Sequence, residues 1–181
     1  DPVNNNTLYV GYEEVHKSTD QGNNWSQISN QGGSTDFRSM AISASNNLYI
    51  YAATHGNIYR TTNGGGATQQ WTNITSNLPV SSSNITYISV KDDDPDHVWV
   101  SMGGYNGNGV YESTNGGGNW TNISTGLPTL PVMCVIQNKD YTGIELYAAT
   151  DVGVYVKQDG ASWVPYSDGL PNVVVTELEI Y

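Results

Sequence analysis

A Gly- and Asn-rich turn that ends in tryptophan occurs four times in this 181-residue chain and constrains its fold more than any other feature. The tryptophans are Trp25, Trp71, Trp120 and Trp163, which follow one another after 46, 49 and 43 residues. A nearly constant period of this length is typical of repeat architectures, in which each repeat is one supersecondary unit. Residues that recur at this period are therefore interpreted as structural. Only residues that break it are candidates for chemistry.

Short segments with apolar residues at alternate positions recur in a fixed order between these turns. One type covers 8–10, 48–50, 98–100 and 146–148, the next covers 15–17, 58–60, 110–112 and 154–156, and another covers 40–42, 88–90, 134–136 and 178–180. A fourth type begins at each tryptophan. Such alternation of β-branched and aromatic residues is typical of β-strands. Four short strands in each unit of about 45 residues predict an all-β chain of β-propeller blades. A β-sandwich is disfavoured, because it does not require the same side chains to return at every fourth strand.

The blades can be placed along the chain if the strands of each blade are labelled A to D from the innermost strand outwards. The sequence then predicts one propeller segment over 1–181, with blades at approximately 1–30, 31–79, 80–128 and 129–171. Residues 172–181 are expected to form the inner strand of a following or closing blade. Either this strand closes a four-bladed ring, or the chain is a segment of a larger propeller. The second arrangement is favoured, because four blades are few and an isolated arc exposes an apolar face at each end.

The first copy of the turn reads S-x-D-x-G-x-x-W and resembles the Asp-box, or BNR repeat, of sialidase-like propellers. The same propeller group includes xyloglucanases, sortilin-type receptor domains and photosystem assembly factors. The box positions in the four copies are Ser18, Asp20, Gly22 and Trp25, then Thr61, Asn63, Gly65 and Trp71, then Ser113, Asn115, Gly117 and Trp120, and finally Asp159, Gly160 and Trp163. In that group the box is a folding element away from the ligand face. The resemblance therefore implies structural roles for these residues.

The charge of the chain excludes several classes of partner. There are 17 acidic and 6 basic residues, which give a formal net charge of −11. Nucleic acids and anionic membrane surfaces would be repelled. No apolar run approaches the roughly 20 residues that a membrane-spanning helix needs. We expect a secreted or cell-surface protein whose partner is an extracellular glycan or protein, or neighbouring blades and domains of the same polypeptide.

Enzymatic activity is disfavoured but left open by the sequence. Sialidases hold the substrate carboxylate with a cluster of arginines, and this chain has only Arg38 and Arg60. A glycoside hydrolase of the xyloglucanase type needs two carboxylates that flank a sugar cleft. Asp36 and Glu177 are the best candidates, because both lie in or beside predicted inner strands near the central channel. A solubilising acidic surface is the alternative interpretation of both residues.

The densest run of charge contains Asp92, Asp93, Asp94 and Asp96. Clustered carboxylates can bind Ca²⁺ through oxygen ligands. The run also coincides with the connection between strands A and B of its blade, so a polar turn explains it well and is the favoured interpretation. No other metal and no cofactor is expected.

One insertion breaks the repeat and is the first candidate for ligand binding. It comprises Gly103, Gly104, Tyr105, Asn106 and Asn108, and no other blade has a connection of this length at the same place. The alternative interpretation is a flexible loop. The sequence as a whole predicts a non-catalytic extracellular binding or spacer module, with a fragment of a propeller glycoside hydrolase as the alternative.

Overall fold

The computed structural model describes residues 1–31, 36–66 and 70–180, which contain fifteen β-strands and no helix. The first blade has β1 (Leu8–Gly11), β2 (Val15–Ser18) and β3 (Ser26–Gln27). The second has β4 (Ser39–Ile42), β5 (Ile50–Ala53), β6 (Ile58–Thr61) and β7 (Thr72–Asn73). The third has β8 (Ile85–Val90), β9 (Val98–Met102), β10 (Val110–Ser113) and β11 (Thr121–Asn122). The fourth has β12 (Val132–Gln137), β13 (Glu145–Thr150), β14 (Gly153–Gln158) and β15 (Val164–Pro165).

Each sheet is antiparallel, and its strands are hydrogen-bonded in chain order. The inner strands β4, β8 and β12 pack against one another, so successive sheets lie side by side as blades. The prediction of an all-β propeller with four-stranded antiparallel blades is therefore confirmed. The first sheet has three strands within the described residues, which correspond to strands B, C and D, and β1 forms its edge.

Three of the four box tryptophans join neighbouring blades. The indole Nε1 atoms of Trp71, Trp120 and Trp163 donate hydrogen bonds to the carbonyl oxygens of Ile28, Ile74 and Ile123, at 2.6, 2.9 and 2.7 Å, respectively. Each acceptor is the first residue after strand D of the preceding blade. All three indoles are buried, and a buried tryptophan with a satisfied N–H dominates the energetics of its contact. The box therefore carries the contact between blades as well as a turn.

The third copy of the box shows how the turn itself is held. The Ser113 hydroxyl donates to Asn115 Oδ1 at 2.9 Å and accepts a hydrogen bond from the Gly117 amide at 2.8 Å. Gly117 has a φ of +89°, and a Cβ at this position would lie 2.4 Å from Cδ1 of Ile74. Glycine is thus required both by the left-handed backbone and by the close approach of the preceding blade. The first and second copies have the same hydroxyl contacts.

The fourth copy of the box is closed differently. Lys157 stands where the other copies have a hydroxyl, and the Asp159 carboxylate accepts a hydrogen bond from the Ile144 amide at 3.0 Å. Ile144 belongs to the connection between strands A and B of the same blade. Trp163 still reaches the third blade, so the contact between blades survives the loss of the serine.

A second polar contact recurs once in every blade. A hydroxyl that follows strand D accepts a hydrogen bond from the amide at the start of strand C, at 2.7, 3.0, 2.9 and 3.3 Å in blades one to four. The hydroxyls belong to Ser29, Thr75, Ser124 and Ser167. This contact fixes the equivalent positions, and it places Tyr166 of the fourth blade where the others have Ile28, Ile74 and Ile123.

Two predicted strand alignments are wrong. In β5, Tyr51 pairs with Arg60, whereas the alignment placed Tyr49 at this position. This shift of two residues leaves every side chain on its predicted face. In β12, Cys134 takes the place of Tyr87 rather than of Ile88. A β-bulge occurs at the same place in β8 and β12. After the bulge in β12, the adjacent residues Cys134 and Val135 are both fully buried, so alternation alone does not determine which of them aligns with Ile88.

The segment 173–180 forms no β-ladder, although the sequence predicts an inner strand over 172–181, of which residue 181 lies outside the described residues. The Val175 amide donates to the Thr150 carbonyl at 3.0 Å, and the backbone of Leu178 hydrogen-bonds to the Cys134 thiol. The segment therefore lies beside β12, where the inner strand of a next blade belongs. It has no ladder because the described residues supply no strand B to pair with it.

Candidate functional site

The connections between strands lie on two opposite faces of the propeller. Because neighbouring strands are antiparallel, the B–C connections and the D–A connections share one face, which we call the loop face. The A–B and C–D connections, with the boxes, share the other, which we call the box face. Backbone hydrogen bonds link neighbouring segments on the loop face. The Phe37 amide donates to the Tyr12 carbonyl at 2.7 Å, and the Ile85 amide, at the start of β8, donates to the His55 carbonyl at 3.0 Å.

The candidate loop, 103–109, is the longest B–C connection and lies on the loop face between β9 and β10. The side-chain amide of Asn106 donates to the Ser82 carbonyl at 2.8 Å and accepts from the Ser83 hydroxyl at 3.0 Å. Asn108 donates from Nδ2 to the same hydroxyl at 3.3 Å and accepts from the Tyr111 hydroxyl at 3.2 Å. Both asparagines are thus used to anchor the loop to the preceding D–A connection and to β10.

The two glycines of the loop shape its backbone. The Gly103 amide donates to the Asn84 carbonyl at 2.8 Å, and a Cβ on Gly103 would lie 2.6 Å from the Asn84 side chain. Gly104 has a φ of +109°, which favours glycine. These residues position the loop and offer no side chain to a ligand.

Tyr105 is the side chain that this anchored loop presents to solvent, with 73% of its surface exposed. Its hydroxyl donates a hydrogen bond to the Asp151 carboxylate at 3.3 Å, across the seam between the third and fourth blades. An exposed aromatic ring and a carboxylate are therefore held together. A tyrosine in this position offers both an apolar ring and a polar tip.

Two further rings on the loop face were missed by sequence reasoning. Tyr12 and His55 lie on the B–C connections of the first and second blades and are exposed, Tyr12 by 63%. Together with Tyr105 they give three of the four blades an exposed ring on the same type of connection. Their positions in the sequence could have identified them. Tyr12 directly follows strand B of the first blade, and His55 lies two residues beyond strand B of the second.

The two candidate catalytic carboxylates are not brought together by any contact among the described residues. Asp36 precedes β4 and lies 3.8 Å from Arg38. Glu177 is exposed in the segment 173–180, and the inner strands β8 and β12 lie between this segment and β4. Burial raises the pKa of the Tyr87 phenol on β8, and the negative charge of Glu177 adds to this effect. Glu177 therefore lies within electrostatic range of β8.

Cys134 has no features of a nucleophile. It is fully buried, and burial raises the pKa of its thiol to about 11. The thiolate is the reactive form of cysteine, and it is not populated at neutral pH in this environment.

The acidic run on the box face is largely engaged in local contacts. Asp96 forms an ion pair with Arg60 at 3.0 Å, and Asp93 forms one with Lys91. Asp94 accepts a hydrogen bond from the Asp96 amide at 3.0 Å. Over the described ranges, no group of three or more His, Cys, Asp or Glu residues is arranged to hold a metal ion. Calcium binding by Asp92, Asp93, Asp94 and Asp96 stays a prediction.

A second polar cluster lies on the box face of the third blade. The Glu112 Oε1 atom lies 2.8 Å from His97 Nε2 and accepts a hydrogen bond from Trp99 Nε1 at 2.9 Å. The two rings are close, with centroids 4.5 Å apart. These hydrogen bonds, that of His97 first, lower the pKa of the Glu112 carboxyl. The cluster fixes a buried tryptophan and is not open to a ligand.

The fold and the repeated boxes together define an Asp-box β-propeller. The family model described as "Sortilin, neurotensin receptor 3" matches residues 13–163, and the chain therefore belongs to the Sortilin-Vps10 family. No curated protein matches the chain. None of the described residues belongs to a helix that could cross a membrane.

Solved structures share the fold at low sequence identity. An ancestral GH74 enzyme is 22% identical with a TM-score of 0.69, over 92% of this chain and 23% of that one. The GH74 xyloglucanase from Xanthomonas campestris is 17% identical with a TM-score of 0.67, over 91% and 29%. YCF48 bound to D1 peptide is 15% identical with a TM-score of 0.62, over 91% and 52%. The chain thus spans about a quarter to a half of the length of these structures.

Proposed function

We propose that the chain is a non-catalytic extracellular binding module within a larger secreted or cell-surface protein, and that its ligand binds the loop face around Tyr105. The observation that carries this proposal is the exposed Tyr105 ring on a loop anchored by Asn106 and Asn108. An anchored ring loses little conformational freedom on binding, so more of its contact energy is available as affinity. The enzymes and the peptide-binding protein that share the fold are all longer than this chain.

The chemistry of the loop face favours a protein or peptide ligand over a glycan. Tyrosine is among the residues that most often dominate protein interfaces. The Asp151 carboxylate beside the ring and the net charge of −11 favour a ligand with basic groups. YCF48, which has the same fold, was solved with a bound peptide. The Asp-box residues lie on the opposite face and support the scaffold only.

The test is a binding screen of the purified chain against a display library of secreted proteins and against a glycan array. Tyr105→Ala is expected to weaken binding of any recovered ligand by roughly 30-fold or more, the effect of losing a hot spot of about 2 kcal/mol. Tyr105→Phe should retain most of the affinity, because it keeps the ring. Leu48→Ala, which removes an exposed apolar residue from the box face, is the matched control and should bind normally.

The outcomes separate binding from the other roles. A ligand that binds the Tyr105→Ala variant as tightly as the unmodified chain would contradict the assignment of the loop face as the binding surface. If neither the display library nor the glycan array yields a ligand, a binding role is contradicted. The chain would then be interpreted as a structural spacer between other parts of the polypeptide. A ligand recovered only from the array would assign a glycan instead of a protein.

A fragment of a propeller glycoside hydrolase remains the second candidate, since two of the proteins that share the fold are GH74 enzymes. It requires Asp36 and Glu177 to act on one substrate, although Asp36 contacts Arg38 and the two carboxylates do not meet. The full-length protein can be assayed on xyloglucan and other soluble polysaccharides. Activity that is lost in both Asp36→Asn and Glu177→Gln would establish the enzyme and overturn the non-catalytic proposal.

A further inference from the structure

Asparagine is followed directly by glycine at four positions in the chain, and this pair of residues is chemically reactive. The four asparagines are Asn63, Asn106, Asn108 and Asn115. The backbone nitrogen of the following residue can attack the side-chain carbonyl carbon of an asparagine, and glycine obstructs this attack least because it lacks a Cβ. The fold blocks the reaction where it binds or crowds the glycine amide. The surroundings of each pair therefore determine its reactivity in the folded chain.

The two pairs in the Asp-boxes are blocked. The Gly64 amide donates a hydrogen bond to the Leu48 carbonyl at 2.9 Å. The Gly116 amide donates one to the Asp96 carbonyl at 2.7 Å. Both glycines are buried, and a buried amide nitrogen must lose its hydrogen bond before it can attack, which is costly. The box asparagines are therefore protected as long as the chain is folded.

The pair formed by Asn106 and Gly107, in the candidate loop, has neither form of protection. The Gly107 amide donates no hydrogen bond to any residue that the structure describes. Asn106 is exposed and Gly107 is partly exposed, whereas Gly109, which follows Asn108, is buried. Apart from its chain neighbours, a Cβ on Gly107 would have no atom nearer than 3.6 Å, but one on Gly109 would lie 2.8 Å from Leu127 Cδ1. Space for a ring that joins the two residues is therefore present at Gly107 and is filled at Gly109.

We propose that Asn106 is a site of spontaneous deamidation in the folded protein, while the other three asparagines are protected. The Gly107 nitrogen loses its proton and attacks Cγ of Asn106. A C–N bond forms, the bond between Cγ and Nδ2 breaks, and ammonia leaves a cyclic imide behind. Water then opens the imide at either of its carbonyls, which gives aspartate or isoaspartate at position 106. The reaction consumes only water, and it does not depend on the loop-face ligand.

Deamidation changes the main anchor of the loop from an attraction to a repulsion. Asn106 Nδ2 donates to the Ser82 carbonyl at 2.8 Å, whereas an ionised carboxylate has acceptors only. A carboxylate oxygen would then lie against the Ser82 carbonyl oxygen. The Ser83 hydroxyl, which donates to Asn106 Oδ1 at 3.0 Å, keeps its acceptor. The loop therefore loosens without loss of the blade, and Tyr105 is held less rigidly on the surface that the proposed function uses.

The chain contains its own reference for the rate of deamidation. Purified protein is incubated at mildly alkaline pH, either folded or in guanidinium chloride, and mass spectrometry of peptide fragments locates each converted asparagine. In the unfolded chain all four asparagines should react at similar rates, because each precedes glycine. In the folded chain Asn106 should react roughly tenfold faster than Asn63 or Asn115, the effect of one net hydrogen bond on a rate. Aspartate and isoaspartate should both appear at position 106.

Three results would overturn the proposal. The first is equal protection of Asn106 and Asn115 in the folded chain. The second is conversion of Asn108 in preference to Asn106, because crowding at Gly109 would then not limit the reaction. The third is conversion to aspartate without isoaspartate, since a cyclic imide opens to both.

The Asn106→Asp variant reproduces one product and tests the loosening of the loop. Asn115→Asp is the matched control, because Asp20 accepts in the first box the same two hydrogen bonds that Asn115 accepts in the third. In Asn106→Asp, amide hydrogen exchange over residues 103–109 should become roughly tenfold faster, with an unchanged circular dichroism spectrum. In Asn115→Asp the loop should exchange at the rate of the unmodified chain. Unchanged exchange of the loop in Asn106→Asp would overturn the role of the Asn106 amide as its anchor.

Discussion

The first and third copies of the Asp-box have nearly the same sequence and the same turn, yet their tryptophans have different environments. Trp120 is 3% exposed and donates to the Ile74 carbonyl of the preceding blade, whereas Trp25 is 43% exposed and donates within its own turn. Both turns have a serine hydroxyl that donates to the Asx side chain at 2.8 to 2.9 Å. The first copy is the one that matches the family pattern completely.

This difference shows that the residues of the box are sufficient to form its turn. Burial of the box tryptophan, by contrast, requires a neighbouring blade. The serine, the Asx residue and the glycine are within five residues of one another, so their hydrogen bonds form in any context. The tryptophan needs the outer strand of a preceding blade, which 46 to 49 residues of sequence supply for Trp71 and Trp120. Stability should therefore depend on which copy is altered.

The largest expected effect is that of removing the internal tryptophan. Trp120→Ala should destabilise the protein by about 3–5 kcal/mol, the usual loss for a buried aromatic, because it empties the contact between the second and third blades. Trp25→Ala should cost roughly half as much, about 2 kcal/mol, because over two-fifths of that side chain is already exposed. Urea unfolding followed by circular dichroism measures both.

Equal losses of stability for Trp120→Ala and Trp25→Ala would contradict the view that burial of the box depends on a neighbour.

A smaller difference is expected at the box glycines. Gly22 and Gly117 have φ values of +91° and +89°, so alanine at either costs roughly 1–2 kcal/mol of backbone strain. At Gly117 the new Cβ would also lie 2.4 Å from Ile74 Cδ1, whereas at Gly22 nothing is closer than 3.7 Å. Overpacking of this kind adds about 1–3 kcal/mol. Gly117→Ala should therefore lower the urea midpoint about twice as much as Gly22→Ala.

The double variant Gly117→Ala with Ile74→Val serves as the control, because it removes the nearest of the Ile74 atoms, Cδ1, while Cβ and Cγ1 would still lie 2.8 and 3.0 Å from the new Cβ. It should be less destabilised than the sum of its two single variants. Strict additivity would indicate that the contact with Ile74 Cδ1 does not limit this position.

The scaffold of this protein could be predicted from sequence because it repeats. Four returns of the tryptophan turn determined the blades, and alternation determined which side chains are buried. The alignment failed where the alternation of apolar residues does not determine the register. A shift of two residues at Tyr51 leaves the alternation intact, and after the bulge in β12 the adjacent Cys134 and Val135 are both fully buried.

The candidate site could be predicted only in part, because it lies where the repeat stops. The length of the 103–109 loop identified Tyr105, but not its contact with Asp151, 46 residues away in the next blade. Tyr12 and His55 were overlooked, since a single ring in a short turn carries no pattern. Asp36 and Glu177 were proposed from their nearness to inner strands, and position along a strand does not determine whether two carboxylates face each other.

The smallest expected effect compares Glu112 with Lys17, which occupy the same position of strand C in the third and first blades. Glu112 accepts hydrogen bonds from the Trp99 indole and the His97 ring, whereas Lys17 lies over the Tyr9 ring, 5.4 Å from its centroid. The hydrogen bonds hold the pKa of Glu112 below the usual value of 4.5. Its carboxylate therefore contributes stability that is present above the unfolded pKa and is lost as the pH falls through the lower, folded pKa.

Glu112→Gln should thus destabilise the protein by about 1 kcal/mol at neutral pH, the scale of one net hydrogen bond. The difference between the variant and the unmodified protein should shrink as the pH falls below 4.5, the usual value for this carboxyl. Lys17→Gln should shift the urea midpoint by a similar or smaller amount between pH 3 and 7, because it removes only one cation–π contact, worth about 0.5–1 kcal/mol. Urea midpoints of the two variants across that range provide the measurement. If Glu112→Gln lowers the stability equally at every pH, the cause would be poor packing of the glutamine amide and not the loss of the carboxylate charge.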